Sequence, residues 1–254
     1  TPPATITALY RYPVKGLSPE PLASAALTPG EMLVADRRYA IENGPIGFDP
    51  AAPKHFAKTH FLMLMRDERL AALKTHYDDA SHVLSIRHDG AEVARGDLAT
   101  TAGRQAIEAY FTAYCAKELR GAPRLLAAEG HNFSDYAPKV VSIINLGSLA
   151  AIAQEVGQPV DPLRFRANVY VTGWPAWHEL DLVGATLAIG QARLKVVKRI
   201  KRCAATNVDP ATASRDLNIP HTLMRTLGHA DCGIYAEVIT GGAMAPGDTL
   251  TRLS

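Results

Sequence analysis

The sequence predicts a mainly β or α+β protein, built as a barrel-like sheet with two or three helices packed on it. Short β-prone runs are separated by turn-forming glycines, prolines and Asn-Gly or Asp-Gly pairs along much of the chain. Helical periodicity is confined to a few segments. Because strands and helices do not alternate regularly, a doubly wound parallel sheet is not expected.

The first half of the chain reads mostly as short strands. Residues 45–55 contain three prolines and predict a loop, and the Asp89-Gly90 pair predicts a hairpin turn. The predicted strands of this half are residues 6–12, 37–42 and 83–86.

Three segments predict helices. The clearest has five apolar or aromatic residues on one helical face and is expected to end at Gly121 and Pro123. A second follows Ser148 as its N-cap and stops at Gly157, and a short third runs from Pro220 to Gly228. The five residues of the first face are Ile107, Tyr110, Phe111, Tyr114 and Cys115.

The second half returns to strands after residue 168. Residues 169–171 and 234–240 are β-prone, and residues 186–200 are long enough for two strands turned at Gly190-Gln191. The Gly121–Pro123 segment marks the boundary between two regions, residues 1–122 and 123–254.

Composition excludes several classes of protein. The chain has 254 residues, with 47% hydrophobic and 20% charged, as in ordinary globular proteins. A net charge of +2 gives no reason to expect nucleic-acid binding, and no apolar run approaches the ~18 residues of a membrane span. Three cysteines without a CxxC spacing argue against a disulfide framework and predict the reducing cytoplasm.

The densest chemical signal lies between residues 195 and 210. Five cations immediately precede Cys203, and such cations stabilise the thiolate that attacks electrophiles or binds a soft metal. They would also attract a phosphate. The alternative is a basic edge strand beside a buried, inert cysteine. The five cations are Lys195, Lys198, Arg199, Lys201 and Arg202.

Other polar positions allow two interpretations each. Lys15 at a strand end presents an ammonium either to a phosphate or to solvent. Arg37 and Arg38 are expected to face opposite sides of a strand, with one of them in a pocket. Arg166 and Asn168 project on one side, as anion ligands or as a surface pair.

Three further features are expected to be structural or remain open. Cys115 is expected in the core, and Cys232 in a turn without a chemical role. Residues 174–179, with two tryptophans and a carboxylate, predict either a lid or a plug at one barrel end.

Taken together and in order, these segments resemble the MOSC family, over nearly the whole chain. That family includes molybdenum-cofactor sulfurase C-terminal domains and the mitochondrial amidoxime reducing component, to which this chain is similar. The motifs that carry the resemblance are Tyr12-Pro13-Val14-Lys15, Asp36-Arg37-Arg38-Tyr39, Asn145-Leu146-Gly147-Ser148-Leu149, Phe165-Arg166-Ala167-Asn168, Trp177-His178-Glu179-Leu180, Arg202-Cys203, Thr206-Asn207-Val208-Asp209-Pro210 and Gly247-Asp248.

The resemblance implies a MOSC-type β-barrel with flanking helices in residues 123–254, plus a smaller N-terminal β-rich domain in residues 1–122. It implies a molybdenum cofactor of the Mo-molybdopterin type, with Cys203 as metal ligand and catalytic residue. Asp209 is a second catalytic candidate, with turn capping as its alternative role. The implied cofactor-binding residues are Lys15, Gly16, Arg37, Arg166, Asn168, Arg202, Cys203 and Tyr235.

The implied activity is reduction of N-hydroxylated or N-oxide small molecules. Electrons would come from an external electron-transfer protein, a flavin, iron–sulfur or haem reductase. Two alternatives stay open: a sulfur carrier or sulfurtransferase using a Cys203 persulfide, and a non-catalytic anion-binding barrel. The sequence departs from the reductase pattern at Gly16, Lys139, Ala213 and the loop at 44–60.

Overall fold

The computed structural model describes residues 2–253, which form fifteen strands and three α-helices. The strands are β1 (Ala4–Arg11), β2 (Glu20–Leu22), β3 (Ala25–Leu27), β4 (Ala40–Glu42), β5 (Lys74–Tyr77), β6 (Val83–His88), β7 (Ala91–Asp97), β8 (Arg124–Leu126), β9 (Val141–Asn145), β10 (Val169–Thr172), β11 (Thr186–Ile189), β12 (Ala192–Lys201), β13 (Asp231–Thr240), β14 (Gly242–Met244) and β15 (Thr249–Arg252). The helices are α1 (Thr101–Tyr114), α2 (Leu146–Val156) and α3 (Ile219–Leu227). Single-turn 3-10 helices span Lys58–His60, Glu68–Ala72, Pro162–Phe165, His178–Leu182 and Ala204–Asn207.

Seven strands close into a barrel, in the order β10, β9, β13, β12, β11, β15, β1 and back to β10. All of these pairings are antiparallel except that of β9 with β10. Closure leaves no free edge within the ring. The predicted mainly β fold, with a barrel and flanking helices, is confirmed.

The barrel core comes from strand alternation. On β13, Ile234, Ala236 and Val238 are buried while the intervening residues are more exposed, as the sequence predicted. Leu194 and Val196 do the same on β12. These side chains meet those of β1, β9, β10, β11 and β15 in one apolar cluster.

A second core lies under α1. The helix buries Ile107 and Phe111 against a three-stranded sheet, β5-β6-β7, whose hairpin turns at Asp89-Gly90 as predicted. Cys115 is 2% exposed in this cluster, so its predicted core position is confirmed.

The two predicted regions share pairings. Strand β1 lies in residues 1–122 but pairs with β10 and β15 of the barrel. Strand β4 of the same region pairs with β8, which begins at Arg124. The division at residue 122 stays a prediction.

Several predicted boundaries were wrong. The strand predicted over 37–42 begins only at Ala40, because Arg37 adopts a left-handed backbone, with φ of 49°. Helix α1 ends at Tyr114, well before Gly121. Helix α2 has Asn145 as its N-cap, accepting from the Gly147 N–H, instead of Ser148. Cys232 lies buried within β13 and not in a turn.

None of the helices between residues 2 and 253 combines the length and apolar character needed to cross a membrane.

Candidate functional site

A cavity of about 280 Å³ lies beside the C-terminal part of β12 and contains Cys203 in its wall. The structure brings all eight residues predicted to bind a cofactor into this one lining. Those residues are Lys15, Gly16, Arg37, Arg166, Asn168, Arg202, Cys203 and Tyr235. They come from five separate chain segments, so the fold assembles a set that no local stretch of sequence contains.

Cys203 is the reactive candidate among three unpaired cysteines. It lies two residues after the end of β12, and its carbonyl accepts hydrogen bonds from the Thr206 N–H at 3.1 Å and hydroxyl at 2.9 Å. Its side chain is half-buried, whereas burial raises the pKa of both Cys115 and Cys232 to about 12. Those two thiols stay protonated and inert at neutral pH.

Two arginines stack on one buried tyrosine. The guanidinium carbons of Arg37 and Arg166 each lie 4.4 Å from the centroid of the Tyr12 ring. Both residues have left-handed backbones, with φ of 49° and 53°. Arg37 also donates to both Asp36 oxygens, at 2.8 and 2.6 Å, and to the Arg166 carbonyl at 2.8 Å. These contacts fix the two side chains before any ligand binds.

Arg166 is charged but not paired. Among residues 2–253 its guanidinium makes no hydrogen bond or salt bridge; only its backbone takes part, with the carbonyl accepting from Arg37 and the N–H donating to the Leu163 carbonyl. Burial, together with the charge of Arg37, lowers its pKa to about 10. The folded chain therefore holds this cation at a cost that a bound anion would offset.

A cluster of three charged side chains, Lys15, Lys58 and Asp135, brings separate chain segments together at the cavity. The buried Lys15 ammonium donates to the Phe133 carbonyl at 2.9 Å and to the Asp135 carboxylate. Lys58 approaches the same carboxylate at 3.4 Å. Burial alone would raise the pKa of Asp135, but Lys15 and Lys58 lower it to about 2. Burial alone would lower the pKa of Lys58, but its interactions with Asp135 and then with Cys203 raise it.

Arg202 has one nitrogen left over. Its Nε donates to the Cys232 carbonyl at 2.7 Å and its Nη1 to the Phe165 carbonyl at 2.9 Å. Its Nη2 is buried and has no partner in the part of the chain described. An unsatisfied buried donor is costly, so this atom is a second observation in favour of an acceptor that comes from outside the chain.

Asn168 and Tyr235 shape the barrel side of the cavity. The side-chain Oδ1 of Asn168 accepts from the Ser142 N–H at 3.1 Å and from the Ser142 hydroxyl at 2.8 Å. Its side-chain Nδ2 donates to the Tyr10 carbonyl. The Tyr235 ring stacks on Tyr136 with centroids 5.4 Å apart. Asn168 is thus held in place by β9 and β1.

Asp209 lies outside this lining. Its carboxylate accepts from the backbone N–H groups of Ala211 and Thr212, each at 2.8 Å, and pairs with Arg164 at 2.8 Å. These are the contacts of a turn cap, the alternative role given to it above. Its position gives no support to proton transfer at Cys203.

The basic stretch around β12 is not an edge strand. β12 pairs with β11 on one side and β13 on the other, so the interpretation as a charged sheet edge was wrong. Four of its five cations line the cavity, while Lys195 instead donates to the Gly184 carbonyl. Nine cationic side chains but a single carboxylate, Asp135, line the cavity within residues 2–253.

Sequence reasoning missed part of the site. Lys58 and Asp135 were not singled out, because each lies in an irregular segment whose partners are distant in sequence. The apolar run at residues 61–65 carries no chemical signal in the sequence, yet Met63, Leu64 and Met65 line the cavity. Lys139, where the sequence departs from the reductase pattern, lies outside the cavity and pairs with Glu31 at 2.6 Å. Ser142, three residues further along, is in the lining.

Residues 174–179 do not form a lid over this cavity. Glu179 is fully buried and accepts from the Ser148 hydroxyl at 2.8 Å, and the Asn145 amide donates to it at 3.2 Å. The Trp177 N–H donates to the same hydroxyl at 2.8 Å. The segment is therefore fastened to the start of α2.

Family models account for almost the entire chain. The model of the MOSC N-terminal beta barrel domain matches residues 3–122, and that of the MOSC domain matches residues 128–251. The chain belongs to the MOSC family. MOSC domains are associated with proteins that bind the molybdenum cofactor.

Other comparisons find only distant similarity. No curated protein matches the chain significantly. Among solved structures, YuaD from Bacillus subtilis is 15% identical with a TM-score of 0.44, covering 98% of this chain and 94% of that one. YiiM from Geobacillus stearothermophilus is 20% identical with a TM-score of 0.36, covering 45% of this chain and 54% of that one.

Proposed function

We propose that this MOSC protein is a molybdenum-cofactor oxidoreductase that reduces N-hydroxylated or N-oxide compounds. The observation that carries the proposal is the meeting of one half-buried thiol, Cys203, with an unpaired guanidinium, Arg166, in a single cation-lined cavity. A thiolate suits a soft metal, and guanidinium groups suit a phosphate.

The residues present fit such a cofactor. Cys203 offers the one cysteine ligand in the lining, and the buried Arg202 Nη2 and the Arg166 guanidinium both lack acceptors in the described chain. Arg166 and Lys15 would hold the cofactor's anionic group, with Arg37 beside them. Charge-assisted hydrogen bonds to phosphate are the strong kind, and planar guanidinium groups also fix orientation.

Neighbouring residues hold the cationic side chains in place before an anion binds. Tyr12 keeps both arginines stacked, and Asp36 fixes Arg37 from the other side. Asp135 holds Lys15 and Lys58 at the cavity. These groups are ordered in advance, so less conformational entropy is lost when the anion binds.

The reaction converts an N–OH group, two electrons and two protons into N–H and water. When bound, the molybdenum cofactor supplies the two-electron redox centre. The chain's own contribution is to bind the cofactor through Cys203, to neutralise its charge and to shape the space beside the thiol. An external electron-transfer protein would deliver the electrons.

The proposed location is the cytoplasm. Three cysteines that are all unpaired support it, because disulfides are rare in reducing compartments.

The test is chemical analysis of protein purified from cells that make the cofactor. One molybdenum and one pterin per chain, both lost in Cys203→Ser, support the proposal. Sulfane sulfur released by cyanide, without metal, would instead identify a sulfur carrier that uses a Cys203 persulfide. Protein that contains neither metal nor sulfane sulfur would support the remaining alternative, a non-catalytic anion-binding barrel.

An activity assay completes the test. The loaded protein should reduce an N-hydroxylated compound when a chemically reduced dye supplies the electrons. Molybdenum-loaded protein that turns over none of a panel of amidoximes, hydroxylamines and N-oxides would contradict the proposed substrate class while leaving cofactor binding in place.

A further inference from the structure

The N-terminal half of the chain supplies one apolar side of the cavity. Met63, Leu64 and Met65, here called the 63–65 wall, line the same space as Cys203. Met63 is 4% exposed, and the other two are half-buried. The other apolar residues of the lining, such as Met32, Val140 and Phe165, come singly from separate segments, whereas these three are consecutive. The wall is therefore a continuous surface where the organic part of a substrate would find apolar contact.

A single arginine bridges this wall to the cysteine segment. The guanidinium of Arg215 donates from Nη2 to the Leu64 carbonyl at 2.8 Å and to the Met65 carbonyl at 3.0 Å. Its Nη1 donates to the Ala204 carbonyl at 2.9 Å, directly after Cys203. Arg215 itself does not line the cavity, so any influence on the site acts through these backbone contacts.

Two more contacts hold Arg215 in position. Its Nε donates to Glu68 at 3.1 Å, just beyond the wall. Its backbone forms an isolated antiparallel bridge with Val208. A planar guanidinium with several fixed donors can serve three carbonyls at once, which the point charge of a lysine cannot do with the same geometry.

Two of the wall's three side chains, Met63 and Met65, adapt easily. Methionine is unbranched and flexible, so it fills gaps of varied shape. The backbone position must therefore set the size of the space, and Arg215 fixes that backbone relative to Ala204.

We propose that Arg215 is a positioning residue that holds the 63–65 wall at a set distance from Cys203 and so limits the bulk of the group admitted beside the thiol. The admitted ligands are compounds with a small or flat apolar body. Their identity as N-hydroxylated substrates rests on the proposed function, whereas the size limit at the thiol does not.

The first test uses cofactor-free protein and the Cys203 thiol as its own reporter. Wild type, Arg215→Ala and Arg215→Lys are alkylated with iodoacetamide and with a maleimide carrying a fused aromatic ring. Peptide mass spectrometry assigns the modified cysteine. Arg225→Ala is the matched control, because Arg225 is an exposed arginine of α3 that pairs with Glu155 at 3.6 Å, away from the wall.

We expect Arg215→Ala to raise the rate ratio of bulky to small reagent at Cys203 at least tenfold. Arg215→Lys should show an intermediate rise, and it keeps a cation if the alanine variant fails to fold. Arg225→Ala should stay within twofold of wild type. An unchanged ratio in both Arg215 variants, or equal acceleration of both reagents, would overturn the proposal.

The second test uses the loaded enzyme. At equal molybdenum content, Arg215→Ala should lower KM for a bulky N-hydroxylated aryl compound relative to a small one, with kcat for the small compound within threefold. A wild type that reduces neither compound refutes the proposed function and leaves the alkylation result standing. A wild type that reduces both, with an unchanged size preference in the variant, refutes the role of Arg215.

Discussion

Cys203 and Cys115 show how surroundings assign different tasks to one residue type. Cys203 lies just beyond the end of β12, is half-buried and lines a cation-rich cavity. Cys115 is 2% exposed under α1, where burial raises its pKa to about 12. The first thiol is open to a ligand in the cavity, whereas the second is part of a packed core.

The pair predicts opposite mutational outcomes. Cys203→Ala should abolish molybdenum retention and turnover while changing the free energy of unfolding by less than about 0.5 kcal/mol. Cys115→Ala should retain the metal but lose about 1 to 2 kcal/mol of stability, because it leaves a cavity in a packed core. Urea unfolding and metal analysis of both variants check this, and exchanged phenotypes would reverse the two roles.

Arg166 and Arg38 offer a matched comparison of two arginines. Arg166 lines the cavity without a partner in residues 2–253, whereas Arg38 is exposed outside it. Arg166→Ala should weaken cofactor retention about tenfold or more, the size expected for losing a charged hydrogen bond. Arg38→Ala should leave retention unchanged. Dialysis followed by molybdenum analysis gives the measurement, and equal losses would contradict the assignment of Arg166.

At the scale of elements, the turn after β1 depends on a close approach. Gly16 has φ of 83°, and a Cβ there would lie 2.7 Å from the Leu62 carbonyl oxygen and 3.3 Å from the Met63 Cα. The turn carrying Lys15 therefore packs directly against the backbone that leads into the 63–65 wall. This contact gives a physical reason for glycine at a position where the sequence departs from the reductase pattern.

Gly16→Ala tests this contact against a control with the same backbone strain. Gly90 has φ of 78° but no atom within 4 Å of its would-be Cβ. Each alanine should cost about 1 to 3 kcal/mol for its left-handed backbone. Only Gly16→Ala should lose further stability and alter the alkylation of Cys203, since only there must another backbone move. Equal losses in both variants would show that the contact is unimportant.

Elements with a clear period were predictable, and very short ones were not. The amphipathic face of α1, the hairpin at Asp89-Gly90 and the strand pair of residues 186–200 all follow from local pattern. Strands of three residues, such as β3, β4 and β14, are too short to show alternation. Their pairing partners, and not their sequences, make them strands.

At the scale of the whole molecule, the barrel is closed by its first strand. β1 lies between β10 and β15, with Thr5 opposite both Thr172 and Thr249. Without β1 both neighbours would have open edges, which invite aggregation. The N-terminal residues are therefore part of the MOSC barrel in space.

This predicts how fragments behave. Residues 123–254 alone should lack a cooperative thermal transition, because the ring is open. Appending residues 2–12 after the last residue, through a short Gly/Ser linker, should restore it, since β15 and β1 are antiparallel neighbours. Circular dichroism melts of both fragments decide the matter. If the shorter fragment unfolds cooperatively, with a midpoint temperature near that of the whole chain, the prediction is contradicted.

The sequence by itself determined the fold class, the main helices and strands, and, through ordered motifs, the family and a set of candidate site residues. The tertiary structure alone decided that those residues share one cavity, that Lys58, Asp135 and the 63–65 wall join them, and that Asp209 stands apart. The reason is physical: local patterns record burial and backbone preference within a few residues. Contacts such as Lys15 with Asp135, or Arg215 with Leu64, depend on chain closure over more than a hundred residues.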